Sequence, residues 1–129
     1  MDDYIILIFG VILILLFLLN KNIKQNKKKT IAINVIDAKK LLKKNYYDYV
    51  IDVRTNKEWN EGRYPGAVHI PLKKLYNGVK LYDMNAKYLI YCETGRRARV
   101  GADIMIEMGF KNVNFLVGNY KLIILHTYS

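Results

Sequence analysis

Tyr88-Leu89-Ile90-Tyr91-Cys92-Glu93-Thr94-Gly95-Arg96-Arg97 is the stretch whose reading decides the fold. Tyr88 to Tyr91 form an apolar run of strand length, and Ala98 to Met108 carry helical periodicity. Between them stands Cys92, the only cysteine of the 129-residue chain. A thiol at a strand-to-helix junction sits where the unpaired N–H groups of a tight loop meet the positive end of a helix dipole. Such surroundings favour the thiolate, which is the nucleophilic form. A core cysteine is the plainer alternative, but a core thiol has no use for a Gly-x-Arg loop beside it.

Working outward from this junction, strands and helices alternate. Thr30 to Asn34 reads as a first strand, and Asp37 to Lys44 as an amphipathic helix with Ala38, Leu41 and Leu42 at helical spacing. Tyr49 to Val53 is apolar enough for a strand buried on both faces. Asn56 is placed to cap a short helix, Lys57 to Glu61, closed by Gly62. Ala67 to Ile70 reads as a strand, and Leu72 to Leu75 as a brief helix after Pro71. Gly109 stops the long helix, Val113 to Val117 is the last strand, and a helical stretch follows Gly118. This alternation predicts an α/β fold with a central parallel sheet covered by helices on both faces. Ligands of such sheets bind beyond the carboxyl ends of the strands, where both Cys92 and the segment Asp52 to Arg54 fall.

The amino-terminal end differs in kind. Tyr4 to Leu19 holds no charged residue, and sixteen residues of helix span about 24 Å against a hydrocarbon core of about 30 Å. Interfacial Tyr4 and snorkelling Lys21 and Lys24 are expected to cover the difference. A signal peptide is disfavoured because Asp2 and Asp3 precede the run and no small-x-small cleavage site follows it. The expected division is an anchor over 1–20, a basic linker over 21–30 and a globular domain over 31–129. Lys21, Lys24, Lys27, Lys28 and Lys29 follow the run, so the positive-inside rule puts the domain in the cytoplasm of a single-pass membrane protein. One unpaired cysteine agrees with that reducing compartment. The formal charge of +10 is made up of these five linker lysines, less Asp2 and Asp3, and a net +7 over residues 30–129, where the excess is mostly scattered lysine. No aromatic-interleaved basic motif or metal-ligand spacing accompanies it, so membrane head groups are the expected partner and nucleic acid is not.

Three segments together resemble the rhodanese-like domain family, over about Ile33 to Gly118. They are Val50-Ile51-Asp52-Val53-Arg54-Thr55 with Glu58-Trp59, then Gly62-Arg63-Tyr64-Pro65-Gly66-Ala67-Val68-His69-Ile70-Pro71, then the Cys-x-x-Gly-x-Arg loop from Cys92 to Arg97 with Gly109-Phe110 after its helix. A membrane anchor ahead of a single such domain is similar to a known bacterial arrangement. The resemblance implies the three-layer rhodanese fold behind one transmembrane helix, and sulfur transfer of the thiosulfate sulfurtransferase type. Cys92 is then the nucleophile that carries a persulfide and Arg97 the loop arginine. Glu93, Thr94, Gly95 and Arg96 line the substrate position, and Asp52 and Arg54 support the loop by pairing Asp52 with a loop arginine or loop amides. The resemblance implies no cofactor and no metal. It implies a small sulfane-sulfur donor or a persulfidated protein, and a thiol acceptor. Amides from Glu93 to Arg97 are placed to stabilise the thiolate and the outer sulfur. Glu93 opposes Arg96 and Arg97, leaving the loop side chains at +1, which weakens the case for a doubly charged donor.

His69 and Trp59 read as structural, the latter packing under the adjacent helix, and His126 has no visible context. Arg63 stands where the family has histidine, Ala98 replaces a frequent serine, and the second glycine and later tryptophan expected after Gly118 are missing. The carboxy-terminal helix is therefore expected to pack atypically. Phosphatases and arsenate reductases of the same fold place five residues between Cys and Arg, whereas four intervene here. A tethered docking or sulfur-relay module is the alternative from a different class. With no second cysteine, an internal redox pair is excluded.

Overall fold

The computed structural model of the chain describes residues 2–25, 30–78 and 83–124. Lys27, Lys28 and Lys29 of the linker, His126, and the side chain of Lys24 lie outside the described residues. The first element is a helix, α1 (Asp2–Gln25), and five strands and five helices follow. They are β1 (Ile31–Asn34), α2 (Val35–Lys43), β2 (Tyr49–Asp52), α3 (Asn56–Glu61), β3 (Val68–His69), α4 (Leu72–Tyr76), β4 (Lys87–Tyr91), α5 (Arg96–Glu107), β5 (Asn112–Val117) and α6 (Lys121–Ile124).

The strands form one sheet in the order β1-β5-β4-β2-β3, and every neighbouring pair is parallel. Alternation along β4 divides the core. Tyr88 and Ile90 point to the face shared with Leu75, Ala98, Ala102, Met105 and Phe110, which belong to α4, α5 and its exit. Leu89 and Tyr91 point to the other face, shared with Ala38, Tyr120 and Ile123. The result is three layers, with α4 and α5 on one side of the sheet and α2 and α6 on the other. Cys92 continues the alternation on the α5 side.

Local chemistry sets the element boundaries more sharply than periodicity does. Asn34 caps α2 by accepting the Asp37 N–H, so the helix starts two residues before Asp37. Thr55 rather than Asn56 caps α3, in a reciprocal box: Thr55 Oγ1 accepts the Glu58 N–H, and Glu58 accepts the Thr55 N–H. The long helix starts at Arg96 rather than at Ala98, with Gly95 at its N-cap in the left-handed conformation.

Helix α1 has 24 residues, about 36 Å, so it exceeds the apolar run at both ends and matches in length the hydrocarbon thickness that the run alone fell short of. Within it Asp2–Asn22 is long and apolar enough to cross a membrane. None of that window is buried, so α1 is not a core helix of the domain.

On α5 the buried residues are Ala98, Gly101, Ala102 and Met105, a narrow stripe of small side chains that brings the helix close to β4. A Cβ at Gly101 would lie 3.2 Å from Leu75 Cδ1 and 3.3 Å from Val53 Cγ1. Gly101→Ala is expected to be nearly neutral, since the helix-propensity gain of about 1 kcal/mol offsets the crowding. Gly101→Leu is expected to destabilise the domain by about 1–3 kcal/mol or more through overpacking, read as a lowered urea midpoint.

Candidate active site

The sheet order creates the site. The connection leaving β2 leads to β3 on one side, and the connection leaving β4 leads to β5 on the other. The carboxyl ends of β2 and β4 therefore open into the crevice of a topological switch point. Asp52 ends β2, and Cys92 directly follows β4.

Cys92 is 1% exposed. Its Sγ accepts two backbone N–H groups, from Gly95 at 3.0 Å and from Ala98 at 3.3 Å. Ala98 is the third residue of α5, and the cap residue Gly95 has no side chain to satisfy that donor. The sulfur thus does the work of a helix-capping oxygen. Of the amides expected around the sulfur, Gly95 is engaged, and the second donor is Ala98, one residue beyond the expected loop. The N–H groups of Arg96 and Arg97 belong to the first turn of α5, outside its internal ladder. Gly95 has φ +109°, and a Cβ there would stand 2.9 Å from the Leu116 carbonyl oxygen. Both facts require glycine. Thr94 accepts the Gly118 N–H at 3.3 Å, which ties the loop to the end of β5.

Arg54 and Asp52 are 1% and 0% exposed. Asp52 pairs with Arg54 rather than with a loop arginine or loop amides: Arg54 Nη2 and Nε donate to Asp52 Oδ2 at 2.8 and 3.0 Å, and the Arg54 N–H donates to Oδ1 at 2.8 Å. Asp52 lies two residues back along the same turn, so it is the nearer partner. Arg54 in turn reaches the loop by donating from Nη1 to Glu93 Oε1 at 2.9 Å, and it also donates to the Gly62 carbonyl. Burial works against its charge, but the bonds to Asp52 and Glu93 outweigh it and its pKa is raised. Tyr120 lies over the guanidinium at 4.1 Å and stacks on Tyr91 at 5.1 Å. Burial, with Asp52 beside it, keeps the Tyr91 phenol protonated.

Arg97 is held by Glu58 through two parallel bonds of 2.7 and 2.8 Å. The Arg97 bonds, with help from Thr55 and against partial burial, hold the Glu58 carboxyl down at about 2. Glu58 likewise raises the Arg97 pKa, with Cys92 a smaller contributor. The loop electrostatics therefore differ from the expected +1: Glu93 and Arg97 are both paired outside the loop, and Arg96 stays exposed. Thr94 is exposed as well.

Two features stand outside the expected site set. Glu58, quoted only as part of a motif, orients Arg97, and its spacing from Thr55 was the signal for at least its capping half. Tyr120 lies in the segment where the resemblance breaks off, and no local pattern announces it. Trp59 stacks on His69 at 4.6 Å and carries Arg63 on its ring. His69 Nε2 lies 2.8 Å from the Arg54 carbonyl oxygen, a backbone-holding contact.

Comparison with known proteins agrees with this geometry. Residues 34–124 match the Rhodanese-like domain family. Thiosulfate sulfurtransferase GlpE of Coxiella burnetii is 32% identical over 90 residues, covering 69% of this chain and 82% of that protein. YrkF of Bacillus subtilis, whose name describes a sulfur carrier protein, is 36% identical over 64 residues, and the chain spans 35% of its length. The human single-domain sulfurtransferase TSTD1 superposes with a TM-score of 0.65 at 18% identity, over 73% of this chain and 95% of that one, which is a likeness of fold. With its parallel five-stranded sheet and its Cys-x-x-Gly-x-Arg loop closing on a buried thiol, the chain belongs to the rhodanese-like domain family.

Proposed function

We propose that the domain is a sulfurtransferase that moves a sulfane sulfur from a donor to a thiophilic acceptor through a persulfide on Cys92. The observation that carries this reading is the pair of N–H groups aimed at Cys92 Sγ from a glycine-shaped loop. Two donors on one sulfur suit an anion better than a neutral thiol. The family and a sulfurtransferase relative 32% identical support the same chemistry.

In the first step the Cys92 thiolate attacks the outer sulfur of the donor. A new S–S bond forms, the donor's own bond to that sulfur breaks, and the leaving group departs with the electron pair as sulfite, sulfinate or thiolate. In the second step the acceptor attacks the outer sulfur, and the electrons of the Cys92 S–S bond return to Sγ as thiolate. No redox change and no proton transfer are required. Throughout, the Gly95 and Ala98 amides hold Sγ, and the first-turn amides of α5 face the added charge on the outer sulfur. Arg97, fixed by Glu58, contributes a preorganised positive charge. Phosphate chemistry is disfavoured by the four-residue spacing, which makes a small cradle.

Helix α1 is read as a single-pass anchor followed by a basic linker, with the domain in the cytoplasm. Its support is an unburied span bounded by Asp2 and Asp3 before and by lysines after.

Incubation with a sulfane-sulfur donor is expected to add about 32 Da to Cys92, seen by mass spectrometry, and Cys92→Ser is expected to show no adduct and no transfer. Aryl phosphate hydrolysis that vanishes in Cys92→Ser would instead show a phosphatase. Arg97→Ala is expected to slow transfer by about 10²-fold while the domain stays folded, checked by kcat/KM together with circular dichroism.

The Glu58–Arg97 pair also sets a pH dependence. Because the folded pKa of Glu58 lies below its ordinary value of 4.5, the stability it contributes is full above about pH 5 and is lost as pH falls toward 2. The difference in Tm between the native domain and Glu58→Gln is expected to be largest at neutral pH and to close near pH 2.

The full chain is expected to stay with membranes through high salt and alkaline carbonate, and a fragment from Thr30 is expected to be soluble and folded. Release by salt alone would point to lysine-driven surface attachment.

A further inference from the structure

The ion pairs around Cys92 have a consequence for the donor. Asp52, Glu58 and Glu93 supply three carboxylates, and Arg54, Arg96 and Arg97 supply three guanidiniums. Arg54 is spent on Asp52 and Glu93. Arg97 is spent on Glu58, through both oxygens. Among the described residues Arg96 makes no ion pair, so one exposed guanidinium at the loop is uncommitted. Arg63 is drawn off onto the Trp59 ring at 4.4 Å, and Arg99 lies a helical turn beyond Arg96. The side chains of the site are therefore neutral together, and a Cys92 thiolate makes the site an anion. The amides of the loop and the helix terminus offset about half a charge. Little positive charge remains for an incoming dianion.

We propose that this charge balance makes the site select monoanionic sulfane-sulfur donors, of the persulfide or thiosulfonate type, over dianionic thiosulfate, with Glu93 and Arg96 as the residues that set the preference. The proposal rests on the persulfide reading of Cys92. Arg54 cannot be lent to the donor, because it is buried and its release would strand Asp52 in the interior. Arg97 cannot be lent without breaking a bidentate pair to a carboxylate that stays ionised throughout the physiological range. Glu93 lies next to the nucleophile and is 36% exposed, so its charge faces the donor as well as Arg54. The surplus of +7 on residues 30–129 draws any anion toward the domain, but it is spread over scattered lysines and screened over about 8–10 Å. It does not distinguish donors once they reach the loop.

Methanethiosulfonate and thiosulfate form a matched pair for the test. Each presents a terminal sulfur on a tetrahedral sulfur centre, and they differ by one charge. Attack by Cys92 yields the same persulfide from both, with methanesulfinate leaving in one case and sulfite in the other. The quantity measured is the ratio of kcat/KM for thiosulfate to kcat/KM for methanethiosulfonate, with thiocyanate formation from cyanide as the readout, in the full chain in detergent micelles. Glu93→Gln keeps an oxygen for Arg54 and removes the charge, and is expected to raise the ratio on the order of fivefold. Arg96→Gln removes the uncommitted cation and is expected to lower it by a similar factor. Ratios within twofold of the native protein in both variants, or a ratio lowered by Glu93→Gln or raised by Arg96→Gln, would overturn the proposal. If Glu93→Gln fails to fold, Arg96→Gln decides alone, since Arg96 is exposed. Absence of any persulfide on Cys92 with either donor would remove the sulfur-transfer reading itself, whereas a persulfide from both donors with a charge-insensitive ratio would remove only the selectivity.

Discussion

Arg54 carries a full positive charge into a place closed to water, and the surrounding structure is organised to keep it there. Asp52 binds it from the end of β2, Glu93 from the loop after β4, and the Gly62 carbonyl from the turn after α3. Tyr120 covers it from the carboxy-terminal segment. The loop at Glu93 and the segment at Tyr120, both distant in sequence, are thus fixed on one guanidinium together with the nearby Asp52 and Gly62. A buried ion pair of this kind is weak evidence of net stability, because desolvation of both partners offsets most of the attraction. What it supplies is position. Removing either partner would leave an unpaired charge in the interior, so the loop can move away only at high cost, and the glycine-shaped turn keeps one geometry.

A second constraint follows from the sulfur itself. Helix α5 begins at a glycine that has no capping side chain, and the Ala98 N–H is satisfied by Cys92 Sγ. The thiol and the helix terminus therefore need each other: the helix supplies donors to the sulfur, and the sulfur completes the helix. A sulfur atom is a weak acceptor when protonated and a strong one as thiolate. The buried stripe of Ala98, Gly101 and Ala102 holds this helix end close against the sheet. Packing on the α5 face is thus part of the machinery of the loop.

The order of strands and helices and the parallel sheet could be read from the sequence because the apolar runs and glycine stops were unambiguous, and Cys92 stood out as a lone thiol in a distinctive loop. The pairing inside the site could not. Asp52, Arg54, Glu93, Glu58 and Arg97 are all visible as charges, but which joins which depends on how β2, α3 and β4 lie side by side. The capping box of α3 needs only short-range information, since Thr55 and Glu58 stand at the required spacing, one residue away from the Asn56 cap that the sequence pattern suggests. Tyr120 is the opposite case. It matters because the sheet order brings the segment after β5 over the end of β2, and nothing local to it says so.

The topology also separates the two ends at which the domain meets other things. The chain enters β1 at Ile31, and since all five strands are parallel, that entry lies at the amino edge of the sheet. Cys92 lies at the carboxyl edge: Ile31 is level with Asn114 and Asn114 with Leu89, so Cys92 stands three residues, about 10 Å of strand, beyond that level. The entry to the domain and Cys92 therefore occupy opposite edges of one sheet. At the Cys92 edge Asp52, Glu58 and Glu93 stand against Arg54, Arg96 and Arg97, so the strongly basic balance of the whole chain does not carry over to the side chains around the thiol.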